Sequence, residues 1–292
     1  MRRRPKFNEK RHRRRSTNAN PCFIFRLVLG PTTTFFDMRL GPASLDVSVV
    51  IPVRNEAANV VRLAAEIEAA MSTTRGSWEC VWVDDGSSDE TLTLITGLAA
   101  ADRNHRYVQL ERSYGQSAAL AAGFVYSRGA MLATIDGDGQ NDPADLPRLI
   151  QLLTDSNLHL VNSYRERSQF GPMRRLSSRV ANAFRNRLTG EHIRDIGCST
   201  RVMRRECLEG ILVFKGMHRF LPTLVRLNGY DRMAEVPVHH RGRWKGTSKY
   251  GISNRLWVGI ADTLAVRWMA RRLTAPHVRQ SSFDAQREEA YR

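Results

Sequence analysis

From Asp46 onward the chain alternates short β-branched runs with stretches of helical spacing. Val47-Ser48-Val49-Val50-Ile51 stops at Pro52, and Val60, Leu63, Ala64, Ile67 and Met71 then recur on one helical face. Cys80-Val81-Trp82-Val83 predicts a second strand, ended by Asp84-Asp85-Gly86. Ser88 is placed to cap a helix carrying Leu92, Ile95 and Leu98. Tyr107-Val108-Gln109-Leu110 reads as a short third strand, and Gly115 to Tyr126 as an Ala-rich, tightly packed helix. Met131-Leu132-Ala133-Thr134-Ile135 is the fourth strand, Pro143 opens another helix, and Leu158-His159-Leu160-Val161 supplies a fifth strand.

Strands alternating with helices predict an α/β domain, over residues 46–240, whose Rossmann-like sheet is mainly parallel and flanked by helices. Ligands of such sheets bind outside the carboxyl ends of the strands. The polar clusters Pro52–Glu56, Asp84–Asp89, Asp136–Gln140 and Asn162–Arg165 all fall at strand ends, so one edge is expected to gather them. Neither GxGxxG nor GxxxxGK[ST] occurs, which excludes a glycine cradle for phosphate.

The charge of the 292-residue chain changes this picture mainly at its start. Residues 1–45 hold eleven Lys and Arg against Glu9 and Asp37, so +9 of the net +16 lies there. This leader lacks helical or strand periodicity and reads as a solvated, disordered arm. Met38 is an alternative start for the ordered chain. No apolar run approaches the roughly 20 residues a membrane-crossing helix needs. The four cysteines (Cys22, Cys80, Cys198, Cys207) show neither metal-type spacing nor a disulfide framework, which fits a reducing, cytoplasmic setting.

The sharpest chemistry lies in Asp136-Gly137-Asp138-Gly139-Gln140, just past an apolar strand. Two carboxylates one glycine apart reach a single hard divalent cation, Mg²⁺ or Mn²⁺, to which a diphosphate adds further oxygens. An EF-hand loop is excluded, because its sixth position is Asn141 and its twelfth Pro147. Taken alone, Asp84–Asp89 serves equally as a turn with a helix cap, and Pro52–Glu56 says little.

Together, Val50-Ile51-Pro52-Val53-Arg54-Asn55-Glu56, Val83-Asp84-Asp85-Gly86-Ser87-Ser88-Asp89 and Asp136-Gly137-Asp138-Gly139-Gln140 resemble the family 2 glycosyltransferases of GT-A fold. Asp195-Ile196-Gly197-Cys198, His218-Arg219-Phe220 and Arg243-Trp244-Lys245-Gly246-Thr247-Ser248-Lys249-Tyr250 narrow the resemblance. They are similar to segments of dolichol-phosphate mannose synthases and bacterial polyprenyl-phosphate glycosyltransferases. The likeness runs from about Val47 to Arg272. It implies that Pro52, Glu56, Val83 and Asp85 hold the nucleoside of a UDP- or GDP-sugar. It also implies that Asp136, Asp138 and Gln140 hold the metal and that Gly137 lies along the diphosphate. Arg165, Arg243 and Lys249 would contact donor or acceptor phosphates. Arg54 stands at a donor-binding position where many members carry an aromatic residue, so stacking on the base is not expected.

The C-terminal third agrees with a lipid phosphate acceptor. Arg243, Ser248 and Lys249, with Lys245, form a compact cationic loop suited to a phosphate monoester. Two basic stretches carry apolar stripes: Met173, Leu176, Val180, Phe184 and Leu188, with Arg174, Arg175, Arg179, Arg185 and Arg187 charging the remaining surface, then Trp257, Ile260, Ala261, Leu264 and Trp268. Such helices lie in a bilayer interface or pack on a core. Residues 241–272 therefore read as an acceptor loop with a membrane-surface helix, and 273–292 as a polar tail. The expected partners are a nucleotide sugar, a polyprenyl phosphate and the inner face of a membrane, with a homo-oligomer or membrane-protein partner open and nucleic acid disfavoured. A phosphate monoester is already largely dianionic near pH 7, its second pKa being about 6, so inverting displacement needs no dedicated base. If a base exists, Asp195 is its candidate; otherwise that carboxylate orders a loop. A glycan hydroxyl acceptor and a non-catalytic binding protein are the competing readings.

Overall fold

The computed structural model describes residues 25–28, 34–165, 182–242 and 252–272. A seven-stranded sheet forms its centre, built from β3 (Leu45–Val53), β4 (Trp78–Asp84), β5 (His105–Gln109), β6 (Gly129–Thr134), β7 (Leu160–Arg165), β8 (Arg201–Arg204) and β10 (Met233–Val238). Their spatial order is β10-β7-β8-β6-β3-β4-β5. All pairings are parallel except those of β8, which runs antiparallel between β6 and β7. Helices α1 (Ala57–Met71), α2 (Thr91–Ala101), α3 (Gln116–Tyr126) and α4 (Leu146–Asp155) connect the first strands. Helix α5 covers residues 182–189, and α6 (Leu221–Leu227) and α7 (Ile252–Arg272) follow.

The period-2 pattern explains why the sheet lies buried on both faces. Along β3, Val47, Val49, Ile51 and Val53 enter the core beneath α1, while Val50 enters the opposite core with α3. Cys80 and Trp82 of β4 join the first core, and Val81 and Val83 the second. A strand apolar on both faces is what a covered parallel sheet requires. The Ala-rich α3 packs close, as its composition predicts: a Cβ at Gly123 would collide with Val50.

Several boundaries move. The third strand starts at His105 and the fourth at Gly129, while the fifth runs from Leu160 to Arg165. Helix α2 starts at Thr91, and its leading N–H is taken by Asp89 Oδ1 at 3.0 Å, not by the expected cap Ser88. The Asp89 carboxylate also accepts the Ala57 N–H, tying the starts of α1 and α2 together. The leader, read as lacking strand periodicity, holds β1 (Phe25–Val28) and β2 (Thr34–Asp37), which pair antiparallel and continue to β9 (Leu212–Val213). Met38, offered as an alternative start, is buried, and its carbonyl accepts the Gly210 N–H. Residues 1–24 and 273–292 lie outside the described residues.

Candidate active site

The carboxyl ends of β3, β4, β6 and β7 do share one edge. Asn55 adopts φ 53°, a left-handed turn that few residues other than glycine accept. Two contacts hold it there: its N–H donates to Ser87 Oγ (3.0 Å), and its Oδ1 accepts the Ser88 N–H (2.7 Å). The Asp85 N–H donates to the Val53 carbonyl. The Pro52–Glu56 and Asp84–Asp89 clusters are therefore one interlocked unit. Pro52 and Glu56 are half-buried, Val83 is buried and Arg54 is exposed.

Asp85, read as a nucleoside contact, also has a structural task. Its carboxylate accepts Ser113 Oγ–H (2.8 Å) and the N–H groups of Tyr114 (2.7 Å) and Gly115 (3.0 Å). It thereby fixes the approach to α3. Gly86 is needed beside it, because a Cβ there would lie 2.7 Å from the Arg112 and Ser113 backbone.

The Asp136–Gln140 loop is pressed against the end of β3. A Cβ on Gly137 would lie 2.6 Å from Val53 Cγ1 and 3.1 Å from the Pro52 carbonyl, so only glycine fits. Asp136 accepts an N–H from Gln116 at the start of α3 (2.8 Å). Burial, then the neighbouring Asp138 carboxylate, pushes its carboxyl up to about 6. Asp138 accepts the Gln140 N–H (3.1 Å). Behind the loop, the Gln140 carbonyl takes the Arg241 N–H (2.7 Å), and Asn141 bridges to His240. Arg241 also pairs with Asp142 (2.6 Å) and Glu66 (2.8 Å), anchoring the loop to α1.

At the end of β7, Arg165 and Asp195 form a bidentate pair, Nε–Oδ2 2.7 Å and Nη2–Oδ1 3.1 Å. Burial alone would raise the Asp195 carboxyl, but the Arg165 contacts outweigh it and hold it below the ordinary range. A carboxylate held low is a weak proton acceptor. Asp195 therefore serves first to aim Arg165. Its stability contribution is full above the unfolded-state pKa and lost as pH falls through the lowered folded value. We expect Asp195→Asn to cost stability at pH 7 and to converge with the parent only below the ordinary carboxylate range, where Asp195 is protonated in the folded as well as the unfolded state. Thermal melts across pH 3–7 check this. The pH profile of transfer should keep its shape, because no base is removed.

Arg243, Ser248 and Lys249 lie outside the described residues, as does the first half of the 172–190 stripe. Sequence reasoning missed Gln116, Arg201 and Arg241. Gln116 opens an Ala-rich helix, and a lone polar residue in such a first turn was its only signal. Arg201, buried at 2% exposure, reaches the Asn162 side chain (2.7 Å) and the His218 carbonyl (2.7 Å), linking strand ends far apart in sequence. Arg185, counted among the surface charges of its segment, is in fact buried at 2%, while Phe184 beside it is exposed.

Glu68, Asp102 and His105 also lie close enough together to suggest a metal site, away from this edge. His105 does not offer a lone pair there. Its Nδ1 accepts the Trp82 indole N–H (3.0 Å), so its proton sits on Nε2 and faces Glu68 (2.9 Å).

A mainly parallel sheet with an Asp-Gly-Asp loop and an aimed arginine at its carboxyl edge is the architecture of a glycosyltransferase of GT-A fold. A family model described as "Glycosyl transferase family 2" matches residues 48–212. This chain belongs to glycosyltransferase family 2. A dodecaprenyl-phosphate galacturonate synthase of Rhizobium johnstonii is 37% identical over 80% of this chain and 70% of its own length. An undecaprenyl-phosphate 4-deoxy-4-formamido-L-arabinose transferase of Shewanella sediminis is 37% identical over 71% of this chain. The chain spans 62% of that relative's length. Among solved structures, glucosyl-3-phosphoglycerate synthase from Mycobacterium tuberculosis, with Mn²⁺ and UDP-glucose, superposes with a TM-score of 0.57 at 21% identity. That match covers 80% of this chain and 82% of the other, and it establishes the fold.

Proposed function

We propose that this glycosyltransferase moves a sugar from a nucleotide diphosphate donor to a polyprenyl phosphate at a membrane surface. The observation that carries the reading is the Asp136–Asp138 pair at the end of β6. Two hard carboxylates, one raised to about 6 by burial and its neighbour, are arranged to accept a divalent cation. Asp136, Asp138 and Gln140 would hold Mg²⁺ or Mn²⁺. When bound, the cation neutralises charge developing on the departing nucleotide diphosphate.

Two of the titratable groups near this loop favour a phosphate acceptor over a glycan hydroxyl. Asp195 is held low by Arg165, and burial with two flanking arginines pushes His218 down to about 3. A hydroxyl nucleophile needs a positioned base near the working pH. A phosphate monoester is ionised already, so alignment and charge suffice. Arg165, with Arg243, Ser248 and Lys249, would supply that charge. The relatives' named acceptors, dodecaprenyl and undecaprenyl phosphate, support the same class.

The outer face of the C-terminal helices supports a membrane location. Val266 and Met269 of α7 pack on the core, while Leu264 and Trp268 stand 50% and 62% exposed. Phe184 on α5 is 44% exposed. Between them runs an open groove of about 590 Å³ lined by Phe184, Arg187, Leu188 and Arg267. Apolar side chains rimmed by arginine suit an anionic bilayer surface. No helix among the described residues is long and apolar enough to cross a membrane. This exposed apolar and basic face would rest on the inner membrane face.

The test mixes the protein with vesicles carrying undecaprenyl phosphate, Mg²⁺ or Mn²⁺, and a panel of UDP- and GDP-sugars. A lipid-linked sugar is expected from at least one donor, and its absence across the panel would overturn the reading. Replacing Leu264 and Trp268 together by glutamate should reduce transfer to vesicle-borne acceptor by about tenfold or more. Transfer to a short water-soluble prenyl phosphate should persist.

A further inference from the structure

The turn Gly216–Arg219 touches three parts of the molecule at once. Ser117, in the first turn of α3, accepts N–H groups from Gly216 (3.0 Å) and His218 (3.4 Å). Its neighbour Gln116 is the residue that holds Asp136. From β8, Arg201 donates to the His218 carbonyl. On the remaining side α7 approaches so closely that a Cβ on Gly216, at φ 96°, would lie 2.6 Å from Asp262 Oδ2. The turn thus lies between α3, whose Gln116 holds the Asp-Gly-Asp loop, and the helix whose outer face carries Leu264 and Trp268.

These contacts decide the state of His218. Its Nδ1 lies 2.8 Å from Ser117 Oγ. Both lone pairs of that hydroxyl already accept backbone N–H groups, so its proton points to Nδ1 and the imidazole proton sits on Nε2. The ring is half-buried, and Nε2 has no protein partner among the described residues. Burial first, then Arg219 and Arg201, depress its pKa to about 3, so it stays neutral across the working range. Such a ring is a fixed hydrogen-bond donor and not a proton shuttle. Arg219, Arg201 and the start of α3 favour an anion at this ring, against the single Asp262 carboxylate on the α7 side of the turn.

We propose that His218 Nε2–H donates a hydrogen bond to a phosphate oxygen of a substrate lodged between the Asp136–Asp138 loop and α7, with Ser117 as the positioning residue that sets the tautomer. The proposal rests on the transfer reaction above. Two substrates carry such an oxygen, the acceptor monoester and the donor diphosphate, and binding experiments separate them.

Imidazole ¹⁵N spectra of the full chain with Mg²⁺ would be recorded on titration with farnesyl phosphate and, separately, with UDP. The His218 Nε2–H signal should shift with one of them, which identifies the source. Ser117→Ala should release the tautomer, so that signals of both protonation sites appear. In kinetics, His218→Asn should lower kcat/KM by about 10–100-fold, the value of a hydrogen bond to a charged group. His218→Gln, whose terminal N–H reaches the Nε2 position, should recover to within about fivefold of the parent. Unshifted Nε2–H with both ligands, or Asn and Gln variants both matching the parent, would overturn the proposal. The spectra require binding alone, so failure to form any lipid-linked sugar counts against the transfer reading without deciding this one.

Discussion

Asp138→Asn is expected to lower sugar transfer by about 10³-fold while leaving the fold intact. The carboxylate is half-exposed at the sheet edge, and asparagine keeps an oxygen that can accept the Gln140 N–H. The loss should therefore fall on cation affinity and kcat, read by calorimetric Mn²⁺ titration and initial rates, with an unchanged melting temperature without metal. A variant that binds Mn²⁺ and turns over normally would remove the cation from this loop. A pH dependence accompanies it. The Asp136 carboxyl of the metal-free protein sits at about 6, above its ordinary 3.8, chiefly through burial and secondly through Asp138. Below that value a proton competes with the cation, so apparent Mn²⁺ affinity should fall by up to about tenfold per pH unit below 6 and level off above 7. The stability sign is opposite to the usual carboxylate case. A raised folded pKa favours the folded state at low pH, and this contribution is lost as pH rises through about 6. Chelated protein should thus melt higher at pH 5.5 than at 7 on this account, and Asp136→Asn should abolish that difference.

Glu79→Ala is expected to destabilise the protein by about 2–4 kcal/mol without touching the chemistry. Glu79 is fully buried at the start of β4, at the opposite end of the sheet from the site. Its carboxylate accepts Ser48 Oγ–H (2.7 Å), the Arg128 N–H (2.6 Å), Arg128 Nε (2.9 Å) and Arg106 (3.0 Å). Burial would raise its carboxyl, yet these donors together hold it below the ordinary value. Truncation leaves the buried Ser48 hydroxyl without its acceptor, at about 1–3 kcal/mol, and leaves the Arg128 N–H only its longer contact with Ser48 Oγ (3.3 Å). For a domain of this size the loss corresponds to about 10 °C in Tm. Transfer measured well below that temperature should match the parent. A shift under about 2 °C would show that water replaces the carboxylate, contrary to this account.

These expectations differ in how far the sequence alone could supply them. The Asp136–Gln140 loop was legible because an apolar strand followed by Asp-Gly-Asp-Gly-Gln is a local pattern, and local patterns survive without coordinates. The Glu79 network was not, since a glutamate inside Trp78-Glu79-Cys80 reads as one polar interruption of a strand. Its partners Ser48, Arg106 and Arg128 come from three other segments. The same limit hid Arg201, whose strand follows a long connection and runs antiparallel within a parallel sheet. It also misplaced Arg185, which helical spacing alone assigned to the surface.

Strand and helix succession, the shared carboxyl edge, the acidic loop and the basic amphipathic C-terminal stretch were determined by sequence, because periodicity and turn chemistry act over a few residues. Tertiary structure alone decided which carboxylates are weak acids and which are strong. Asp136 is raised chiefly by burial and then by a second carboxylate, and Asp195 is lowered because Arg165 meets it from 30 residues away. Protonation depends on charge and solvent within a few ångströms, and only the folded chain brings those groups that close.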